Sequence, residues 1–266
     1  MRNQEGVLAS IHFFVIDKDE KLEVVSLAEA PFGSVEIHED GAFDLKAFML
    51  FVVQTLRERN VHSIIIKDCI SIYRPDVQLK QLFTQLGFSI REKQLNHHIA
   101  VDSSHLAGKM HRMEQKRLRK CLRAGFQFRQ EPLPDLKDHY HFLQHCRRQK
   151  GWELSASLED IQQLSKLLPH AYRLFSVYDG QRRVAASLSI AVNEHVLYDF
   201  YHDSLQEYRQ YSPVTLLLDG MYQYCQQERI AYIDMGTSET LSLQAFKSHV
   251  GGIASPKITY QLDLHG

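Results

Sequence analysis

The chain has 266 residues, 44% of them hydrophobic, and a formal net charge of -1 at pH 7. That is enough apolar material for one large domain or two ordinary ones, and too little net charge for global attraction to nucleic acid or an anionic membrane, so any anion site must be local. Four scattered cysteines (Cys69, Cys121, Cys146, Cys225) form no CxxC pair or metal-finger spacing, no apolar run approaches the roughly 18 residues of a membrane span, and Arg2-Asn3-Gln4-Glu5 lacks a signal-peptide core; a reduced, soluble, cytoplasmic protein is expected.

In chain order, Gly6 to Ile16 reads as a strand, Asp17-Lys18-Asp19-Glu20 as a turn and Leu22 to Leu27 as its hairpin partner. Behind an Asp44 cap, Leu45, Phe48, Met49, Val52, Val53 and Leu56 recur at helical spacing. Ile64-Ile65-Ile66 suits a central strand covered on both faces. A helix from Val77 to Leu86 ends at Gly87, and Phe88 to Val101 is extended.

The second half opens with a basic helix from about His105 to Ala124, which places Arg112, Lys116, Arg119 and Arg123 on one stripe, either solvated or facing the phosphates of a ligand. Tyr172 to Tyr178 and Val184 to Val192 are strands joined at Asp179-Gly180, and His195 to His202 is a third. The helix from Pro213 to about Glu228 buries Val214, Leu217, Leu218, Met221 and Cys225. A strand from Ile230 to Met235, a helix from Leu243 to Val250 and a strand from Ile258 to Leu264 complete the chain. The two halves match in order, with Leu79 to Gly87 corresponding to Leu243 to Gly251. His141 and His145 share a helical face but have no third ligand within motif reach, so no metal is expected.

Ahead of the Pro213 helix, Ser212 reads as its N-cap, so that Tyr208, Arg209, Gln210, Tyr211 and Ser212 present unpaired backbone N–H groups to an anion. The first half has Glu36, Glu39, Asp40 and Asp44 at the equivalent point, which disfavours a diphosphate there.

This order of elements, with the Tyr211-Ser212-Pro213 helix start, Ile233-Asp234-Met235-Gly236 at a strand end, Leu243-Gln244-Ala245-Phe246-Lys247 followed by glycine, and the basic run Lys116 to Gly125, resembles the GNAT superfamily of acyltransferases, in its FemAB-like double-GNAT branch. The resemblance implies an α/β protein of tandem GNAT-like domains, residues 1–104 and 105–266, each a mixed, mostly antiparallel sheet flanked by helices. It implies acetyl-CoA or another acyl-CoA as cosubstrate and an amine on a small metabolite, sugar or peptide as acceptor, with the cleft in the second half. The loop has no glycine where acetyl-CoA users carry one, leaving less freedom to wrap a pyrophosphate. Two alternatives stand: a Fem-type transferase using aminoacyl-tRNA, and a non-catalytic module on the same scaffold.

Acyl transfer to an amine needs fixed donors on the carbonyl, a deprotonated amine and a proton for the leaving group. Strict alternation along His195 to Asp203 puts Asp199, Tyr201 and Asp203 on one face, and Asp199, among aromatics, is the candidate base with a raised pKa, the alternative being a carboxylate bonded to a neighbouring strand or Arg209. Tyr201 is the second catalytic candidate. Arg119, Trp152, Asp234, Ser238 and Lys247 are the substrate-binding candidates. Trp152 reads as either a pocket floor or a core plug, Thr237 and Ser238 as ligand contacts or helix caps, and Lys247 as a cleft cation or a solvated lysine.

Overall fold

The computed structural model describes residues 9–19, 21–28, 30–37, 44–74 and 79–265. The chain divides into two compact units, one of residues 1–94 with 256–266 and one of residues 95–255. The division therefore falls at two places, instead of once at 104/105.

In the first unit, β1 (Ala9–Ser10) pairs with β4 (Glu36–Ile37), and β2 (Phe13–Lys18) forms the expected antiparallel hairpin with β3 (Lys21–Ser26). Helix α1 (Leu45–Glu58) begins at Asp44, whose carboxylate accepts from the Ala47 N–H at 2.9 Å, and carries the chain to β5 (Val61–Lys67), which lies parallel to β3. Ile64, Ile65 and Ile66 are all buried, as a strand covered on both faces requires. Then follow α2 (Leu79–Gln85) and β6 (Ser89–Ala100), which belongs to the second unit from Leu95 onward. Glu39 and Asp40 lie outside the described residues.

In the second unit come α3 (Leu106–Lys109), α4 (Arg112–Arg123), β7 (Gln127–Glu131), α5 (Leu136–Arg148), α6 (Leu158–Leu167), β8 (Tyr172–Asp179), β9 (Arg182–Ala191), β10 (Val196–Ser204), α7 (Pro213–Glu228), β11 (Tyr232–Thr237) and α8 (Leu241–His249), and the final strand, β12 (Ile253–Asp263), belongs to the first unit from Pro256 onward. Within this unit the strand order is β6-β11-β10-β9-β8-β7, antiparallel throughout except for the pair β10–β11. Alternate residues of β8 to β10 feed two cores: Phe175, Val177, Ala185 and Leu197 pack with α7, whereas Leu174, Ala186, Leu188 and Tyr201 pack with α5. The mixed, mostly antiparallel sheet flanked by helices is thus observed. No helix among the described residues is long and apolar enough to cross a membrane.

Each unit repeats strand, long helix, parallel strand: β3-α1-β5 in one and β10-α7-β11 in the other. In each, a short helix then ends at a glycine with positive φ, Gly87 at 85° and Gly251 at 98°, and the following N–H reaches back to close the turn (Phe88 to the Phe83 carbonyl, Gly252 to the Lys247 carbonyl, both 2.9 Å). The closing strands are exchanged between the halves of the chain, since β12 pairs with β5 and β6 pairs with β11.

The basic helix is not continuous. The chain leaves helical geometry at Met110 and His111, where the His111 N–H donates to the His249 carbonyl at 2.8 Å, the two imidazoles stack at 4.6 Å, and α4 restarts with His111 as its cap. Helix α7 is buried over more than one stripe, including Thr215, Leu216, Gly220 and Tyr224; a Cβ on Gly220 would lie 2.2 Å from the Phe128 ring.

Candidate active site

Strands β10 and β11 run parallel through three pairs, Val196–Tyr232, Leu197–Ile233 and Tyr198–Asp234, and then part. Beyond Tyr198, β10 continues for six residues with β9 on one edge and, among the described residues, no strand paired to the other. Phe200 is a bulge: Asp199 faces Ser189, Tyr201 faces Leu188 and His202 faces Ser187. The extra residue reverses the alternation downstream, so Asp199 shares its face with His202, while Tyr201 and Asp203 point to the opposite side. Strict alternation grouped them wrongly, because a bulge leaves no mark in a sequence of aromatics and polar residues.

On the α7 side, Asp199 is buried; Ser187 Oγ donates to its Oδ1 at 2.7 Å and His202 Nδ1 lies 2.5 Å from its Oδ2. Burial, the largest influence, pushes its pKa up, yet the His202 charge and hydrogen bond, with the Ser187 bond, outweigh it and the net direction is down. The expected raised pKa is therefore reversed: Asp199 is an anchored carboxylate, bonded to the neighbouring strand and to His202, and Arg209 takes no part. On the α5 side, the Tyr201 hydroxyl is 2.6 Å from Ser155 Oγ and accepts from the Ala156 N–H at 2.9 Å. Asp203 pairs with Lys150 and with Arg147 at 3.4 Å. The structure thus separates Tyr201 from Asp199.

At the end of β11, Asp234 is 2% exposed and accepts from Asn96 Nδ2 at 2.6 Å and from the Gly236 N–H at 2.8 Å. Lys247, also buried, donates to three consecutive carbonyls: Met235 at 2.6 Å, Gly236 at 3.0 Å and Thr237 at 2.7 Å. Its pKa is lowered to about 8 by burial, against the opposing pull of Asp199 and Asp234. With all three ammonium protons placed, Lys247 is neither a solvated lysine nor a free cation for a ligand. Ser238 is no cap: its hydroxyl lies 3.2 Å from His97 Nδ1, and α8 is capped by Thr240, which accepts from the Leu243 N–H. His97 bridges on to Ser248 at 3.3 Å, and burial, with Lys247 and His98, lowers its pKa. Asn96, His97, Ser187 and His202 were not singled out as site residues by sequence reasoning; a hydrogen-bonding side chain within a strand was their only signal.

The loop before α7 is built differently from the expectation. Gln206–Tyr208 forms a 3-10 turn, and the N–H groups of Tyr208, Arg209, Tyr211 and Ser212 all donate to carbonyls within residues 205–209. Ser212 adopts the left-handed region at φ 57°, and its side chain accepts no capping bond. The Tyr208 hydroxyl donates to Asp179 at 3.1 Å, the Gln210 carbonyl accepts from Lys120 Nζ at 2.9 Å, and Tyr211 lies under the same ammonium. Four of the five N–H groups expected to face an anion are therefore already bonded within the loop. What remains outward is cationic side chains: Arg209 is exposed, as are Arg112, Lys116, Arg119 and Arg123, and Lys116 and Arg123 lie one turn to either side of Lys120. The acid of α4, Glu114, is turned inward to Arg117 and to Thr215 at 3.0 Å.

Trp152 is not a core plug; it is 57% exposed, with the Arg147 guanidinium 5.6 Å from its ring. His145 is paired with Gln149, and no group of three or more His, Cys, Asp or Glu side chains among the described residues is arranged to hold a metal.

Comparison with known proteins places these features in context. A family model described as an acetyltransferase (GNAT) domain matches residues 109–248, the span from α4 to α8. Among solved structures, FemX is similar over 96% of this chain and 88% of its own, with 14% identity and a TM-score of 0.66. The C-terminal domain (DUF2156) of a putative lysylphosphatidylglycerol synthetase from Agrobacterium fabrum is similar over 100% and 84%, with 13% identity and a TM-score of 0.67. A tandem GNAT protein from the clavulanic acid biosynthesis pathway matches over 97% and 84%, at 8% identity and a TM-score of 0.52. At these identities the likeness is one of fold. No curated protein sequence matches significantly.

Proposed function

The chain belongs to the GNAT acetyltransferase family, and on that premise we propose that its second unit moves an acyl group from an activated donor, acyl-CoA in the leading reading, to an amine on a small metabolite, sugar or peptide. The observation that carries this is the parting of β10 from β11. A row of backbone amide groups along the open edge of β10 suits an extended donor arm that adds to it as a strand would, while its N–H groups polarise the acyl carbonyl. Asp199, His202 and Tyr198 border this opening from β10, and the carbonyls that β11 would otherwise leave bare there are gathered by Lys247.

The donor's phosphates fall mainly to side chains, since four of the loop's five backbone donors are spent: Arg209 first, then the exposed cations of α4. The same observation favours a second reading, an aminoacyl ester of tRNA held by that cationic stripe. A calorimetric titration separates them. Acetyl-CoA binding supports the leading reading, and at 100 times its dissociation constant the ligand would add about 2.7 kcal/mol of thermal stability. Silence toward CoA at millimolar concentration, with tRNA binding that weakens steeply with salt, would move the assignment to the ester donor. Silence toward both contradicts the transferase reading.

A further inference from the structure

We propose that His202 carries the proton in this transfer, with the buried Asp199 carboxylate holding its ring so that Nε2 faces the attacking amine. The inference rests on the acyl-transfer reading and deepens it by naming the acid–base residue.

The geometry that supports it is built by the bulge. Residues three apart on a regular strand face opposite ways; the extra residue at Phe200 brings Asp199 and His202 to one face, opposite Ser189 and Ser187 of β9. Both Asp199 oxygens are then fixed, one by Ser187 Oγ, itself 2.8 Å from Ser189 Oγ, and one by His202 Nδ1. A carboxylate only accepts, so Nδ1 must be the donor, and in the neutral ring the lone pair is left on Nε2. Among the described residues no hydrogen-bond partner is found for Nε2, while the His202 side chain keeps 19% of its surface exposed. A histidine serving only to satisfy a buried aspartate has no need to leave its other nitrogen open. This one does so on the stretch of β10 from which β11 has departed.

The charges around the pair are Lys247 of α8, which acts on Asp199, Arg147 of α5, which donates to the His202 carbonyl at 3.4 Å, and Asp203, which Arg147 joins on the far face. As the amine nitrogen bonds to the acyl carbon, its proton passes to Nε2. When the intermediate collapses, the carbon–sulfur bond of the thioester breaks and the same proton goes to the leaving sulfur. Asp199 stays ionised throughout and is a positioning residue.

Two measurements test this. Nitrogen-15 spectra of histidine-labelled protein report the His202 tautomer without any substrate: protonation at Nδ1 in the neutral ring is expected, and protonation at Nε2 overturns the proposal. Acetyl-CoA turnover, followed as thiol release with a panel of amino sugars and amino acids, supplies the second. His202→Gln should lower kcat by about 10²-fold or more with KM for acetyl-CoA unchanged. Asp199→Asn should lower kcat with KM for acetyl-CoA unchanged, because the His202 ring loses the carboxylate that orients it. Full kcat in His202→Gln overturns the proposal. Wild-type protein that turns over no acyl-CoA instead counts against the transfer reading, and the nitrogen spectra then decide the dyad alone.

Discussion

Lys247 bonds the carbonyls of Met235, Gly236 and Thr237 from a position 3% exposed, next to the point where β11 leaves its neighbour. A strand that parts from its partner strands its carbonyls, and an unsatisfied buried acceptor costs about 1–3 kcal/mol, so one ammonium serving three of them stabilises the opening of the cleft itself. Lys247→Met should therefore cost about 3 kcal/mol or more in urea unfolding, well beyond the effect of deleting a solvated lysine; a loss under about 0.5 kcal/mol would show that the carbonyls find other partners. The Phe246-Lys247 pair drew attention in the sequence, and so did Asp199. What each side chain does was not legible, because it depends on a strand parting and on a one-residue bulge at Phe200 that no local pattern announces.

Elements were easier to read than contacts. Asp44, Asp179-Gly180, Gly87 and Gly251 are each punctuation with a local cause, and helix α1, the β8–β9 hairpin and the ends of α2 and α8 follow them. The break between α3 and α4 escaped because it is set by the distant His249 carbonyl and not by proline or a run of glycines. Glu131 at the end of β7 shows elements tied together by charge: it bonds Tyr178 of β8, Arg183 of β9 and His139 of α5. Burial pushes its pKa up, but the bonds from His139 and Tyr178 and the Arg183 charge win, lowering it from its ordinary 4.5 to about 2. With the folded value below the unfolded one, this contribution is complete above about pH 4.5 and disappears as the pH falls toward 2. The melting-temperature gap between wild type and Glu131→Gln should accordingly be full at pH 7 and shrink across that window. A gap that is constant down to pH 2 would remove the carboxylate from the account.

At the scale of the whole molecule, each unit is completed by a strand from the other half of the chain. Tyr260 on β12 is 2% exposed in the core of the first unit, 4.8 Å from the Phe83 ring, although it lies 177 positions further along the sequence. Tyr260→Ala should cost about 3–5 kcal/mol and show first as faster hydrogen exchange in α1 and β5, with α7 still protected. Equal loosening of α7 would mean that the two units unfold together. The repeat of architecture was readable in the sequence; the exchange of closing strands was not, because it is a choice between two chemically similar partners for β6 and β12.

The central claim is that acyl transfer takes place where β10 and β11 part. Amide chemical-shift mapping with a thioether analogue of acetyl-CoA tests it most directly. The account predicts perturbations concentrated in residues 198–204 of β10, in the 206–214 loop and at the end of β11. Saturable shifts confined to the first unit, with those segments unmoved, would contradict it.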